Sequence, residues 1–163
     1  MKGLVLYRSF YGNTQKVAEH MVAQVKALGH DALTQDLREK LPDLTDIDFV
    51  IVGAPTRMAG VTGTATSALK HLKKEKFSRS VALFDLFGPI PKDPAAFEKG
   101  KHWLYPGAIG KMVDEAKKQG LNLYPETLRV EVKEIAGPVV ESDLDKAAAF
   151  VKGFIAWVPG PRS

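Results

Sequence analysis

Residues 47–54, Ile-Asp-Phe-Val-Ile-Val-Gly-Ala, form a nearly continuous apolar run. A strand with one wet face alternates polar and apolar side chains, so a run with this little alternation reads as a strand buried on both faces, as in a parallel sheet covered by helices. Residues 3–8 and Ser80 to Phe87 are further apolar runs, and residues 31–37 are a weaker second strand. The segments between them carry helical spacing. Val17, Ala18, Met21, Val22, Val25 and Leu28 recur up to Gly29, and Ala65, Ala68, Leu69 and Leu72 mark a second helix. Pro106 suits the first turn of a third, with Ile109, Met112, Val113 and Ala116 before Gly120. Residues 121–134 are assigned to a fifth strand. Ser142 and Asp145 are spaced as a capping box before a last helix striped by Leu144, Ala147, Ala148, Val151, Phe154, Ile155 and Val158. The expectation is an α/β chain with a doubly wound five-stranded parallel sheet, forming one domain over residues 1–163 and fraying after Pro159.

Several chemistries are excluded by what the chain lacks. Without cysteine there are no disulfides, thiolate metal sites, iron–sulfur ligands or cysteine nucleophiles, so any redox chemistry needs a borrowed cofactor. His20, His30, His71 and His102 are too scattered for a metal site. No Gly-x-Ser-x-Gly elbow appears, and Ser9 has no identifiable base, which argues against a hydrolase. Asp85, ending the fourth strand, is either a phospho-acceptor or a hydrogen-bonded strand-end residue; the acidic cluster that a response regulator carries after its first strand is absent. The net charge is +4, much of it in Lys70, Lys73, Lys74, Lys76 and Arg79. That stretch is either an anion-facing surface or a helix end complementing its dipole, and without interleaved aromatics it does not read as nucleic-acid binding. The apolar start from Leu4 to Tyr7 is too short for a signal segment or a membrane span, so a cytoplasmic protein is expected.

In open α/β sheets, ligands bind beyond the carboxyl ends of the strands where strand order reverses, which directs attention to the loops after strands one, three and four. The first loop is Ser9-Phe10-Tyr11-Gly12-Asn13-Thr14. Its hydroxyls, the Asn13 amide and the helix-start N–H groups converge where one phosphate fits, and Gly12 permits close backbone approach. The loop lacks the Gly-Lys-Ser/Thr of a nucleoside-triphosphate site and the Gly-x-Gly-x-x-Gly of a dinucleotide site. The alternative is that Thr14 merely caps a helix. After strand four, the long connection over residues 88–105 is read as functional because compact domains seldom carry such a loop without a use for it.

With these residues in place, the sequence resembles the flavodoxin family, and especially the flavodoxin domain of diiron flavoproteins, whose phosphate loop often reads Ser-x-Tyr-Gly-Asn-Thr as residues 9–14 do. The segment Gly53-Ala54-Pro55-Thr56-Arg57-Met58-Ala59-Gly60 is similar to the family's Gly-x-Pro-Thr loop, which packs on one face of the isoalloxazine. The element order matches over nearly the whole chain, including Glu141-Ser142-Asp143-Leu144 before the last helix. The resemblance implies a flavodoxin-like sheet of order 2-1-3-4-5 and a flavin mononucleotide (FMN). It puts the FMN phosphate on residues 9–14 and the ring against Pro55 to Gly60. Many members carry an aromatic residue near the position of Arg57, which leaves Met58 as the apolar neighbour here. After strand four, Leu86-Phe87-Gly88-Pro89 and the long insertion replace a Gly-rich turn, so Phe87, Gly88, Trp103 and Tyr105 are candidates for the second flavin wall. The basic charge also departs from the family's acidic habit. The implied function is electron transfer to a redox partner protein or a small-molecule acceptor. The alternatives are an FMN-dependent oxidoreductase of the quinone-reductase or protoporphyrinogen-oxidase type, with residues 88–105 walling a substrate pocket, and a flavin-free interaction module.

Overall fold

The computed structural model describes residues 1–58 and 60–160; Ala59, part of the expected ring-packing loop, and residues 161–163 lie outside them. The described elements run β1 (Lys2–Tyr7), α1 (Asn13–Ala27), β2 (Asp31–Asp36), β3 (Phe49–Pro55), α2 (Gly63–Lys74), β4 (Ser80–Phe87) and α3 (Pro94–Gly100). A short 3-10 turn over Lys101–Trp103 follows, then α4 (Gly107–Lys118), β5 (Asn122–Leu123), β6 (Leu128–Glu131) and α5 (Ser142–Trp157). All strand pairs are parallel, in the order β2-β1-β3-β4-β5, with β6 also pairing β4. This is the expected order, with the fifth position filled in two pieces. β5 lies opposite Ser80 and Val81, and β6 lies opposite Phe84 to Phe87. Between them the Tyr124 amide still reaches the Val81 carbonyl at 2.7 Å, but Pro125 has no N–H to continue the ladder.

Period-two alternation sends side chains of the central strands to opposite faces. Val5, Tyr7, Phe49, Ile51 and Phe84 pack with Val17 and Met21 of α1 and Phe154 of α5, while Leu4, Leu6, Val50, Val52 and Leu83 pack with Leu69 of α2 and Met112 of α4. Phe49 and Phe154 meet edge to face at 5.6 Å, both fully buried. Two packed faces explain why the central strands read as apolar runs.

Two expectations change in detail, and one alternative gains support. Residues 88–105 are not an open loop: Asp93 caps α3 by accepting the Ala96 amide at 3.0 Å, and Pro94 opens that helix. The capping box at the last helix does not form. Glu141 holds the cap position, no side chain caps it, and Ser142 is already helical. Asp143 acts instead, its buried carboxylate accepting the Glu131 amide at 2.8 Å and pairing with Lys146 at 3.0 Å. It sits in the first turn, where a negative charge is favoured, and ties α5 to β6. The basic stretch is the helix end of the two readings: His71, Lys73 and Lys74 occupy the last turn of α2, and the Arg79 side chain donates to the carbonyls of Leu44, Thr45 and Ile47. Among the described residues no helix is long and apolar enough to cross a membrane.

Candidate functional site

The β1–α1 loop begins where the Arg8 amide still pairs with the Gly53 carbonyl at 3.1 Å. The chain then turns through Gly12, whose φ of +85° is left-handed and favours glycine, and the Gly12 amide donates to Ser9 Oγ at 3.0 Å. Gly12 is the cap residue of α1, and its carbonyl accepts the first helical bond from the Lys16 amide. Among the described residues, no acceptor meets the amides of Asn13, Thr14 and Gln15, and no acidic residue lies in that first turn. The helix start therefore holds open donors and positive potential for an external anion. Of the two readings of Thr14, capping is not what it does: α1 has no side-chain cap, and Thr14 is buried.

The loop after β3 closes through a two-way backbone bridge, Arg57 N to Gly60 O at 3.0 Å and Gly60 N to Arg57 O at 2.8 Å. Met58 projects from it at φ +48°, 88% exposed. The Arg57 guanidinium lies 3.9 Å from the Phe10 ring centroid, and Arg8 stacks on the same ring at 3.9 Å.

These loops share one cavity of about 460 Å³, within the range of about 300–1,000 Å³ usual for small-ligand sites. Ser9, Phe10, Tyr11, Asn13 and Thr14 line it from the first loop, and Pro55, Thr56, Arg57 and Met58 from the second. Phe87, Gly88 and Trp103 complete the expected set on the β4 side. Gly12 and Gly60 shape their turns without lining the cavity. Tyr105 stands behind the wall, its ring 6.2 Å from Phe87 and 6.4 Å from Phe97. Sequence reasoning missed Val132 and Ile135, which reach the cavity from the chain between β6 and α5. This strap carries an antiparallel Val132–Val139 bridge and is pinned to the first loop by Asn13 Nδ2, which donates to the Ala136 carbonyl at 2.9 Å. The Asn13 amide, expected to face a phosphate, holds the strap.

Behind the cavity, Asp85 is fully buried and accepts from Arg129 Nε at 2.8 Å, Arg129 Nη2 at 2.9 Å, Thr56 Oγ1 at 2.8 Å and the Ile109 amide at 3.1 Å. Thr56 Oγ1 in turn accepts the Ala108 amide at 2.9 Å. Asp85 is thus the hydrogen-bonded strand-end residue of the two alternatives, and with Thr56 it satisfies the first amides of α4, whose own cap residue, Pro106, supplies no side-chain bond. The fit depends on Gly107: at φ +71° it tolerates the left-handed turn, and a Cβ there would meet Arg129 Nη2 at 2.3 Å. Burial pushes the Asp85 carboxyl above its usual range, with the Arg129 guanidinium and the Thr56 and Ile109 donors pulling the other way. Arg129 Nη1 finds no acceptor among the described residues, and the guanidinium stacks 4.0 Å from the Phe87 ring centroid.

A parallel sheet of this order, with a polar helix-start loop and an apolar wall opening on one cavity beyond its carboxyl edge, can be compared with known proteins. A family model described as a flavodoxin domain matches residues 4–158. The chain belongs to the flavodoxin family. Solved structures agree on the fold. A flavodoxin from the domain Archaea superposes with a TM-score of 0.69 at 18% identity, over 96% of this chain and 98% of that one. Oxidised Flavodoxin 1 from Bacillus cereus gives 0.67 at 18% identity, over 96% and 98%. Rubredoxin oxygen:oxidoreductase from the anaerobe Desulfovibrio gigas gives 0.72 at 18% identity, covering 96% of this chain and 35% of that one. This flavodoxin-family chain therefore spans about a third of that protein's length. At these identities the likeness is one of fold. No curated protein sequence matches the chain.

Proposed function

We propose that the chain binds FMN in this cavity and carries electrons through it. One observation carries the reading: Asn13 and Thr14, whose amides are open, and the apolar wall of Pro55, Met58, Phe87 and Trp103 line a single cavity, so a ligand with an anion at one end and a flat apolar body at the other fits. The open amides, with Gly12 setting the turn, would receive the phosphate as hydrogen-bond donors at a helix N-terminus. The loops after β3 and β4 would orient the ring, and Leu86, Phe87 and Leu104 would keep water from it. When bound, the flavin supplies the one- and two-electron chemistry. Residues 88–105 contribute Gly88, Pro89, Pro91, Gly100, Trp103 and Leu104 to that same cavity, a wall for the cofactor itself, which favours the carrier over the oxidoreductase. The expected partners are a redox protein or a small-molecule acceptor, in the cytoplasm.

The test is the visible spectrum of the purified protein together with titration of FMN fluorescence. Oxidised-flavin absorption and stoichiometric quenching are expected. A colourless protein that leaves FMN fluorescence unquenched overturns the proposal and favours the flavin-free module.

A further inference from the structure

Large apolar side chains ring the cavity mouth with their surfaces exposed: Phe10 and Tyr11 from the β1–α1 loop, Met58 after β3, Trp103 from the insertion and Ile135 from the strap. Exposed apolar residues scattered singly need no explanation, but these come from four separate segments and gather at one opening, as at a docking face. The charge beside them is positive. The cavity lining contains one cation, Arg57, and no carboxylate. Arg8 and Arg57 both stack on Phe10 at 3.9 Å, and two guanidiniums that close to one ring centroid must take opposite faces. Stacking engages the flat faces of the guanidiniums and leaves their in-plane N–H donors available, the geometry that receives carboxylates. Among the described residues, Arg8 donates to the Ser9 carbonyl and neither arginine pairs with a carboxylate. Asp36, the carboxylate that feels the Arg8 charge, is held by Arg38 at 2.6 Å, and in the insertion Glu98 pairs with Lys101 at 2.8 Å and Asp93 accepts the Ala96 amide. The strap alone brings a negative balance, with Glu134 and Glu141 against Lys133.

Resting on the electron-carrier reading, we infer that this rim is the docking face for an acidic redox protein. Its carboxylates meet Arg8 and Arg57, and its apolar surface closes over Phe10, Met58 and Trp103. A protein partner accounts for an apolar rim wider than a small acceptor needs, and paired arginines held in place by a ring select for negative charge.

The test uses FMN-saturated protein in stopped flow, with an acidic plant-type ferredoxin as electron donor and the basic cytochrome c as the oppositely charged probe. Electron transfer from reduced ferredoxin should slow by about tenfold between about 20 mM and about 500 mM salt, while the reaction with cytochrome c should not slow. Arg8→Glu and Arg57→Glu should each flatten the ferredoxin dependence, and the double variant should reverse it. The sign of this dependence is independent of driving force and of flavin affinity in saturated samples. A wild-type rate with ferredoxin that is indifferent to salt or rises with it, or variants that keep the wild-type slope, overturns the docking face. FMN uptake is scored separately, and its failure overturns the carrier reading alone. Calorimetric binding of oxidised ferredoxin at low salt, abolished by Arg8→Glu, then still decides the docking face, and no binding refutes it.

Discussion

Asn13 shows how a single side chain changes meaning once its partner is known. In sequence it belongs to a phosphate loop; in the fold its amide holds the Ala136 carbonyl, and the strap it pins brings Val132 and Ile135 to the cavity. Asn13→Ala should therefore weaken riboflavin, which has no phosphate, by the same factor as FMN. Loss of one hydrogen bond predicts about 1 kcal/mol, roughly fivefold. A defect confined to FMN in parallel fluorescence titrations would return Asn13 to the phosphate. Arg57 makes a second prediction at this scale. It lines the cavity, and a cation there favours an electron-rich flavin. At about 6 Å and an effective dielectric near 20 the Coulomb interaction is on the order of 3 kcal/mol, which exposure and salt reduce to roughly 1 kcal/mol. That corresponds to about 40 mV for a one-electron step. Arg57→Glu should make the reduction potential of the bound flavin more negative, and Arg57→Ala should move it less in the same direction. Redox titration at low and high salt decides; a potential that stays put or rises with Glu removes Arg57 from flavin tuning.

At the scale of elements, the insertion between β4 and α4 has the most to explain. Its length marked it as functional, but its helix was missed, although Asp93 and Pro94 form a cap and first turn that local rules recognise. Its end sets Trp103 at the cavity, half exposed, with Tyr105 turned back onto Phe87 and Phe97. Trp103 should therefore be the fluorophore that FMN quenches, since Trp157 packs against Tyr124 and Phe154 on the face covered by α1 and α5. Trp103→Phe should abolish FMN-dependent quenching of tryptophan emission, and Trp103→Ala should cost about 0.5–1.5 kcal/mol of flavin affinity. Quenching that survives in Trp103→Phe would place the ring elsewhere. The fifth strand and the last helix carry a related lesson. Apolar content over residues 121–134 was legible, but Pro125 divides the strand, and the apparent Ser142 cap gives way to Asp143 because Glu131, distant in sequence, presents its amide there.

Across the whole molecule, Asp85 joins β3, β4, β6 and α4 at one buried point: Thr56, Arg129 and the start of α4 all converge on its carboxylate. Removing one member of a buried ion pair leaves the other charged and uncompensated, so Asp85→Asn should destabilise the fold by about 3 kcal/mol or more. Replacing Asp85 and Arg129 together with leucine should recover much of that loss. Denaturant unfolding separates the cases: the single variant should lower the midpoint with an unchanged slope, and the double variant should lie closer to the wild type. A double variant no more stable than Asp85→Asn would mean that the ties to Thr56 and α4 matter more than the paired charges.

The strands buried on both faces, the helices between them and the turn chemistry of residues 9–14 were all written locally, in hydrophobic period and in glycine and capping residues, so the sequence by itself determined the layered α/β architecture. The family's loop signatures then pointed to the loops after β1 and β3, and most of their residues line one cavity. Only the tertiary structure decided how those loops are supported. Asn13 to Ala136, Thr56 to Asp85, Asp85 to Arg129 and Arg129 to Thr56 join residues between 29 and 123 positions apart in the chain. No local periodicity records such pairs, because each residue satisfies its own segment's pattern whichever partner it meets. The partner is chosen when the packed sheet brings the ends of β3, β4 and β6 and the start of α4 within hydrogen-bond reach, in a place where an unpaired polar group would be too costly to leave.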